Sequence, residues 1–179
     1  MFRILIACCA LGLILALGAC QNLPPPYAPP EQFTGWEKLG PQRVDRMVDI
    51  SDRDSGPYYV ADILATPGDP WSWTGKRPMV KVQPPRATHI RYVMDLAVAG
   101  ATFDTTGPVT ITFLVNGQPL ESVRYTKSGE YHFEKEVPLA WVIESKTVEV
   151  GAEIDKMWVS PDGKGKLGFI LTRVGLTGQ

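Results

Sequence analysis

His89 and His132 are the only imidazoles in the 179-residue chain, so they bound what histidine chemistry it can do. His89 opens an alternating apolar segment and His132 lies on the polar side of another. A Ser/His/Asp triad would therefore have to be assembled from distant strands, and solvated surface imidazoles are the simpler reading. Glu134 and Glu136 project from one strand face, with same-face neighbours about 7 Å apart, inside the window of roughly 5 to 10 Å that glycoside hydrolysis needs between two carboxylates. With Lys135 on the opposite side, they also read as an ordinary solvated face. Asp52, Asp54 and Gly56 echo the start of a calcium loop. The downstream bidentate glutamate is missing, because positions 57–64 offer only Asp62 as an acid, and a plain Asp/Ser/Gly turn accounts for the segment. There is no HExxH pair, no G-x-S-x-G elbow and no phosphate-cradling glycine loop. No catalytic residue, metal ligand or cofactor is assigned, and catalysis is the minority expectation.

Aromatic residues carry the stronger signal. Sugars have flat apolar faces that stack on exposed rings, and small-molecule sites combine aromatic walls with a few polar groups. Trp71 and Trp73 point the same way if their segment is extended, with Asp69, Lys76 and Arg77 nearby to hydrogen-bond hydroxyls. Tyr58 sits with Tyr59 between Gly56-Pro57 and a strand, and Trp158, Asp162 and Lys164 form a loop group before the last strand. Candidate ligand-binding residues are thus Trp71, Trp73, Tyr58, Trp158 and Asp162. The competing reading is that the tryptophans cap the core, since Trp is usually largely buried.

The elements that must position these residues read as strands. Ile90, Tyr92, Met94, Leu96 and Val98 occupy every second position, placing all five on one face. Val109, Ile111, Phe113 and Val115 repeat the pattern with residues that suit a pleated surface, and Asn116-Gly117 follows as a hairpin turn into a strand at 118–126. Ser128-Gly129 turns the chain into a strand ending at Val137, and Thr147 to Ile154 alternates again. Tyr58–Leu64 and Met79–Gln83 read as further strands, and Lys166–Leu176 as one long strand buried on both faces. A short helical turn fits between Pro138 and Ser145, while Trp36–Ile50 is ambiguous. Seven to nine strands with no long amphipathic helix predict an all-β fold, an antiparallel β-sandwich, with a closed barrel as the alternative.

One ordered set of short motifs widens this reading. Trp71-Ser72-Trp73-Thr74-Gly75, then Val115-Asn116-Gly117, Ser128-Gly129 before Tyr131-His132-Phe133, and Leu167-Gly168-Phe169-Ile170 together resemble jelly-roll domains found beside bacterial polysaccharide enzymes and in carbohydrate-binding modules. The resemblance covers roughly residues 58–176 and implies a jelly-roll-like sandwich and an exported setting; function must be argued from the site.

The N-terminus supplies an address. Arg3 precedes an apolar run from Ile4 to Leu17, the order of a secretory signal. That run is short of the roughly 20 residues that span a bilayer, and prolines follow Cys20 almost at once. Leu17-Gly18-Ala19-Cys20 resembles the bacterial lipobox, which implies cleavage after Ala19 and a lipid on Cys20. Cys8 and Cys9 would leave with the leader, so the exported chain would rely on its hydrophobic core alone. Bacterial lipoproteins carry two or three acyl chains, enough for stable anchoring. Gln21 at the sorting position implies the outer membrane, the domain facing the periplasm or the cell surface. Five prolines between Gln21 and Gly35 read as a stalk in polyproline geometry; a docking peptide for an aromatic groove is the alternative. The expected organisation is a signal peptide at 1–19, a lipidated cysteine and Pro-rich linker at 20–35, and the sandwich at 36–179.

Eighteen Lys plus Arg against nineteen Asp plus Glu, with no basic run, argue against a nucleic-acid partner. Two main functions follow: a membrane-anchored, non-catalytic module binding glycan or envelope polymer, or an assembly subunit docking onto a larger envelope protein complex through the same aromatics. A glycoside hydrolase using the paired carboxylates is the minor alternative.

Overall fold

Where apolar and polar residues alternate, a strand can bury one face and hydrate the other, and most of the chain beyond Arg46 is built this way. The computed structural model describes residues 46–64, 69–161, 163 and 165–179; the expected leader, lipidated Cys20 and Pro-rich stalk lie outside them. The described strands are β1 (Met47–Asp49), β2 (Tyr59–Ile63), β3 (Ser72–Val82), β4 (Ile90–Val98), β5 (Val109–Val115), β6 (Gln118–Tyr125), β7 (Gly129–Glu136), β8 (Val148–Ile154), β9 (Trp158–Val159), β10 (Lys166–Leu167) and β11 (Ile170–Gly178), with one short helix, α1 (Gly100–Thr106).

The result is an antiparallel β-sandwich of the jelly-roll kind. β1, β11, β4 and β7 form one sheet and β2, β3, β8, β5 and β6 the other. β3 serves both: Ser72 and Trp73 pair with Leu171 and Ile170 of β11, while Met79 to Val82 pair with Gly151 to Val148 of β8. The path β6-β5-β8-β3-β11-β4-β7 ends at β6 and β7 with no ladder between them among the described residues, so the barrel alternative does not hold. Side chains cover that open edge instead. The Tyr125 and Tyr131 rings lie 4.4 Å apart and Lys135 Nζ lies 2.9 Å from Glu121 Oε2.

Between the sheets sits the apolar set that alternation selects. Ile90, Tyr92, Met94, Leu96 and Val98 of β4 are buried, facing Val109, Ile111, Phe113 and Val115 of β5 and Val148, Val150, Ala152 and Ile154 of β8. Phe113 and Phe133 stack across the sandwich with centroids 3.5 Å apart, and Tyr92 meets both edge-on, an arrangement that the ring quadrupoles favour. The Tyr92 hydroxyl, fully buried, donates a 2.8 Å hydrogen bond to the Gly151 carbonyl of the opposite sheet, as a buried polar group must.

The turns follow their residue types. Asn116 and Gly117 take φ values of 49° and 76°, as a two-residue hairpin demands. The Asn116 side chain also donates to the Trp141 carbonyl and accepts from the Glu149 amide. Leu139–Trp141 forms a 3-10 turn directly after Pro138, and the ambiguous N-terminal stretch ends in β1.

Two expectations change. Lys166–Leu176 is not one strand buried on both faces: β10 is separated from β11, and a bulge between Leu171 and Arg173 resets the alternation. Leu171, Val174 and Leu176 therefore all face the core despite their uneven spacing, while Thr172 and Thr177 are exposed. A bulge adds one residue to one strand of a pair, so an apolar run can be nearly continuous and still bury one side. The segment expected at Met79–Gln83 is instead the end of β3, which begins at Ser72 because its first residues find a partner in β11.

Where β3 passes from one sheet to the other it is clamped. The buried Thr74 donates through its amide and hydroxyl to the Phe169 carbonyl at 3.0 and 2.8 Å, accepts from the Phe169 amide at 3.1 Å, and accepts at its carbonyl from the Gly168 amide at 2.7 Å. So close an approach requires glycine: a Cβ on Gly168 would lie 2.4 Å from the Gly75 carbonyl oxygen. Gly168→Ala is expected to cost about 2–3 kcal/mol in urea unfolding through this overlap.

Burial pushes the Tyr92 phenol well above its usual range, and burial first, then Tyr131, pushes Tyr125 up to about 12. The unfolded chain releases these protons near pH 10 and the folded one holds them, so the folded state loses stability as pH rises above about 10. Tyr92→Phe should cost about 1–2 kcal/mol at neutral pH through the lost buried hydrogen bond, and its stability should fall less steeply between pH 10 and 12 than that of the unaltered protein.

Candidate functional site

Residues directly opposite in antiparallel strands share a face, and this rule builds a surface from segments far apart in sequence. Trp73 of β3 lies opposite Ile170 of β11, Ile170 opposite Ala97 of β4, and Ala97 opposite Glu130 of β7. The neighbours Ser72, Thr74, Leu171, Leu96 and Val98 are buried inward. Trp73, Ile170, Ala97 and Glu130 therefore form a row across the outer face of the first sheet. One step along the strands lies a second row in which Asp95 faces His132 on one side and Arg173 on the other.

At one end of the first row stands an aromatic platform. The Trp73 ring stacks on Trp158 of the β9–β10 hairpin, centroids 6.0 Å apart and planes inclined by 24°. Trp158 is carried there because β9 pairs with β10, placing it opposite Leu167, just before the Gly168–Phe169 clamp on Thr74. The Leu64 amide donates to the Trp73 carbonyl at 3.0 Å, so Leu64 extends the apolar surface. It is 55% exposed and Trp71 46%.

The second row is polar and interlocked. Asp95 Oδ2 accepts from Arg173 Nε at 2.9 Å and lies 2.7 Å from its Nη2. Asp95 Oδ1 is 2.6 Å from His132 Nδ1, which acts as the donor against a carboxylate. His132 Nε2 reaches toward Glu134 at 3.8 Å, and Arg91 contacts Glu134 at 3.1 Å. Beside Asp95 and His132 is a shallow depression of about 490 Å³ bounded also by Glu130, Tyr131 and the bulged Thr172. An aromatic platform next to fixed carboxylate, imidazole and guanidinium groups can stack an apolar ring face and hydrogen-bond the hydroxyls around it.

The expected site residues are distributed unevenly. Trp73 and Trp158 meet, and both are half-buried rather than members of the core. Trp71 immediately precedes β3 and is exposed. Tyr58 belongs to a 3-10 turn at the opposite end of the β2–β3 pair, where Tyr59 faces Val80, and does not join the tryptophans. Asp162 and Lys164 lie outside the described residues. Lys76 turns to Glu153 of β8 at 3.4 Å, away from the platform, and the Arg77 amide donates to Asp62.

The chemistry-bearing pairs are otherwise engaged. Glu134 and Glu136 are held by Arg91 and His89, a solvated ladder across β4 and β7 rather than two carboxylates facing an open cleft. Asp49 and Asp52 accept backbone N–H bonds from Ser51 and Asp54, as the turn reading requires, and no group of three or more metal-ligating side chains occurs among the described residues. Asp95, Arg173 and Thr172 were not singled out by sequence. Asp95 carried a signal, as the one acid within the alternating β4, but its partners are 37 and 78 residues away.

No protein-family model matches the chain, and no curated protein matches it. Among solved structures it is similar to a family 35 carbohydrate binding module from Clostridium thermocellum, at 10% identity over 68% of this chain and 87% of that one, with a TM-score of 0.38. It is also similar to a family 36 carbohydrate-binding module in complex with calcium and xylotriose, at 11% identity over 73% and 98% of the two chains and a TM-score of 0.38. A family GH115 4-O-methyl-α-glucuronidase matches at 12% identity and a TM-score of 0.38 over 68% of this chain, which spans 16% of that protein's length. Likeness at this level leaves the site to be read from its own geometry.

Proposed function

We propose that this protein is a non-catalytic binding module for glycan or cell-envelope polymer, held at the outer membrane through a lipid on Cys20. The observation that carries the binding half is the Trp73–Trp158 stack, at the end of the Ile170–Ala97–Glu130 row and one step along the strands from the Asp95–His132–Arg173 row. A saccharide would lay an apolar face on the rings and direct hydroxyls toward Asp95, His132 and Glu130. Pull-down on insoluble polysaccharides and a glycan array test it. Trp158→Ala and Trp73→Ala are expected to stay folded, since both rings lie outside the core, and to weaken binding at least tenfold, about 1.4 kcal/mol. Undiminished glycan binding in both variants would exclude this face.

Leu64 favours a second reading. An aliphatic side chain this exposed adds area that sugar stacking does not need and that a protein interface uses, so the same face would anchor the domain to an envelope complex. A purified protein that binds no glycan but co-purifies with a stoichiometric partner, lost on Leu64→Asp, would establish docking in its place.

The anchor rests on Leu17-Gly18-Ala19-Cys20 and the apolar run before it. Cys20→Ser is expected to release or mislocalise the protein on membrane fractionation; unchanged fractionation, or mass spectrometry finding an unmodified cysteine in native material, would contradict it.

A further inference from the structure

Trp158 reaches Trp73 at the end of a short segment, residues 155–157, each tied to a different part of the fold. Asp155 joins the segment to β5: its amide donates to the Thr110 carbonyl at 3.0 Å and its Oδ1 accepts from the Thr110 amide at 2.8 Å. Met157 is half-buried against the core. Lys156 lies between them and is exposed, but its ammonium is engaged with backbone rather than with a carboxylate. Nζ donates to the Thr106 carbonyl at 3.1 Å and to the Pro108 carbonyl at 2.7 Å. It therefore stands at the C-terminal end of α1, where the last carbonyls of a helix lack partners within it and a positive charge is favoured.

α1 packs beside β9, the strand that carries Trp158, yet it has few means of holding itself there. Seven residues are too few for a helix to be stable unaided, and no side chain caps its N-terminus. Thr102, fully buried, has a hydroxyl without a hydrogen-bond partner among the described residues, which counts against the packed position. A link from outside the helix offsets this, and Lys156 supplies one, two residues before Trp158. The Thr74 clamp at Gly168 fixes the returning side of the β9–β10 hairpin. Lys156 does the same for the outgoing side.

We propose that Lys156 is a positioning residue for the aromatic platform: by binding the end of α1 it keeps the Trp158 indole over Trp73 before any ligand arrives. The inference rests on the reading of that pair as a binding surface. A ring already in place loses less freedom when a saccharide is laid on it, so the contact strengthens binding without touching the ligand. An exposed ammonium adds little to overall stability, so its removal affects the hairpin and not the fold.

Circular dichroism of the full-length protein, well below its unfolding midpoint, tests the assignment. Two stacked indoles couple their strong far-ultraviolet transitions into a paired positive and negative band, identified as the signal that both Trp73→Phe and Trp158→Phe remove. Lys156→Met keeps the length of the side chain but not its donor, and is expected to lose most of that signal while its urea unfolding remains cooperative. Lys156→Arg, which can still donate to both carbonyls, should retain it. Binding to whichever insoluble polysaccharide captures the unaltered protein should weaken about threefold to tenfold in Lys156→Met and recover in Lys156→Arg. A paired band unchanged in Lys156→Met, or lost equally in Lys156→Arg, would overturn the positioning role, as would polysaccharide binding that Lys156→Met leaves unchanged. A band lost in Lys156→Met and kept in Lys156→Arg, in a protein that binds no polysaccharide, would support the Lys156 contact and count against the platform as a sugar site.

Discussion

The crossing of β3 from one sheet to the other depends on the contact between Thr74 and the Gly168–Phe169 backbone. A strand that leaves one ladder for another must find partners for the amides and carbonyls released between them. Thr74 meets that demand with both its backbone and its hydroxyl, each directed at a segment about 95 residues away. Glycine at 168 is what lets the two backbones come close enough. With this crossing in place, Ser72 and Trp73 are extended beside β11, and the remainder of β3 is free to pair with β8. The two sheets then share one strand without closing into a barrel.

From the same contact follows the aromatic surface. Gly168 and Phe169 lie between β10 and β11, so the clamp that holds β3 also fixes where the β9–β10 hairpin emerges and brings Trp158 over Trp73. The bulge in β11 contributes separately. By inserting one residue it lets Ile170 and Arg173 both face outward while Leu171 and Val174 both face the core. Without it, the row containing Trp73 and the row containing Asp95 could not both be served by β11. The core depends less on such local devices: Phe113, Phe133 and Tyr92 pack by shape, and the Tyr92–Gly151 hydrogen bond joins the two sheets through their interior.

The two ends of the sandwich differ in chemical character. At one, indole rings and a chain of paired charges present a surface that is flat, polar along one side and open. At the other, the β3–β4 loop and a 3-10 turn border a cleft of about 460 Å³. Strands of this length separate the ends by about 30 Å, and the core between them is continuous.

By itself the sequence determined the strands, because their information is local: a period of two in β4, β5 and β8, and Asn116-Gly117 with its tolerance of positive φ, need no distant partner to be recognised. It also singled out Trp73 and Trp158, though not their contact, and the lipobox-like stretch Leu17-Gly18-Ala19-Cys20, which lies outside the described residues. Only the tertiary structure decided which sheet each strand joined, that β3 begins at Ser72, and that Tyr58 stands apart from the tryptophans. Only it brought Asp95, His132 and Arg173 together. The physical reason is that cross-strand register is a relation between segments tens of residues apart, set by a bulge in β11 and a close approach at Gly168. Neither feature leaves a periodic trace in its own stretch of chain.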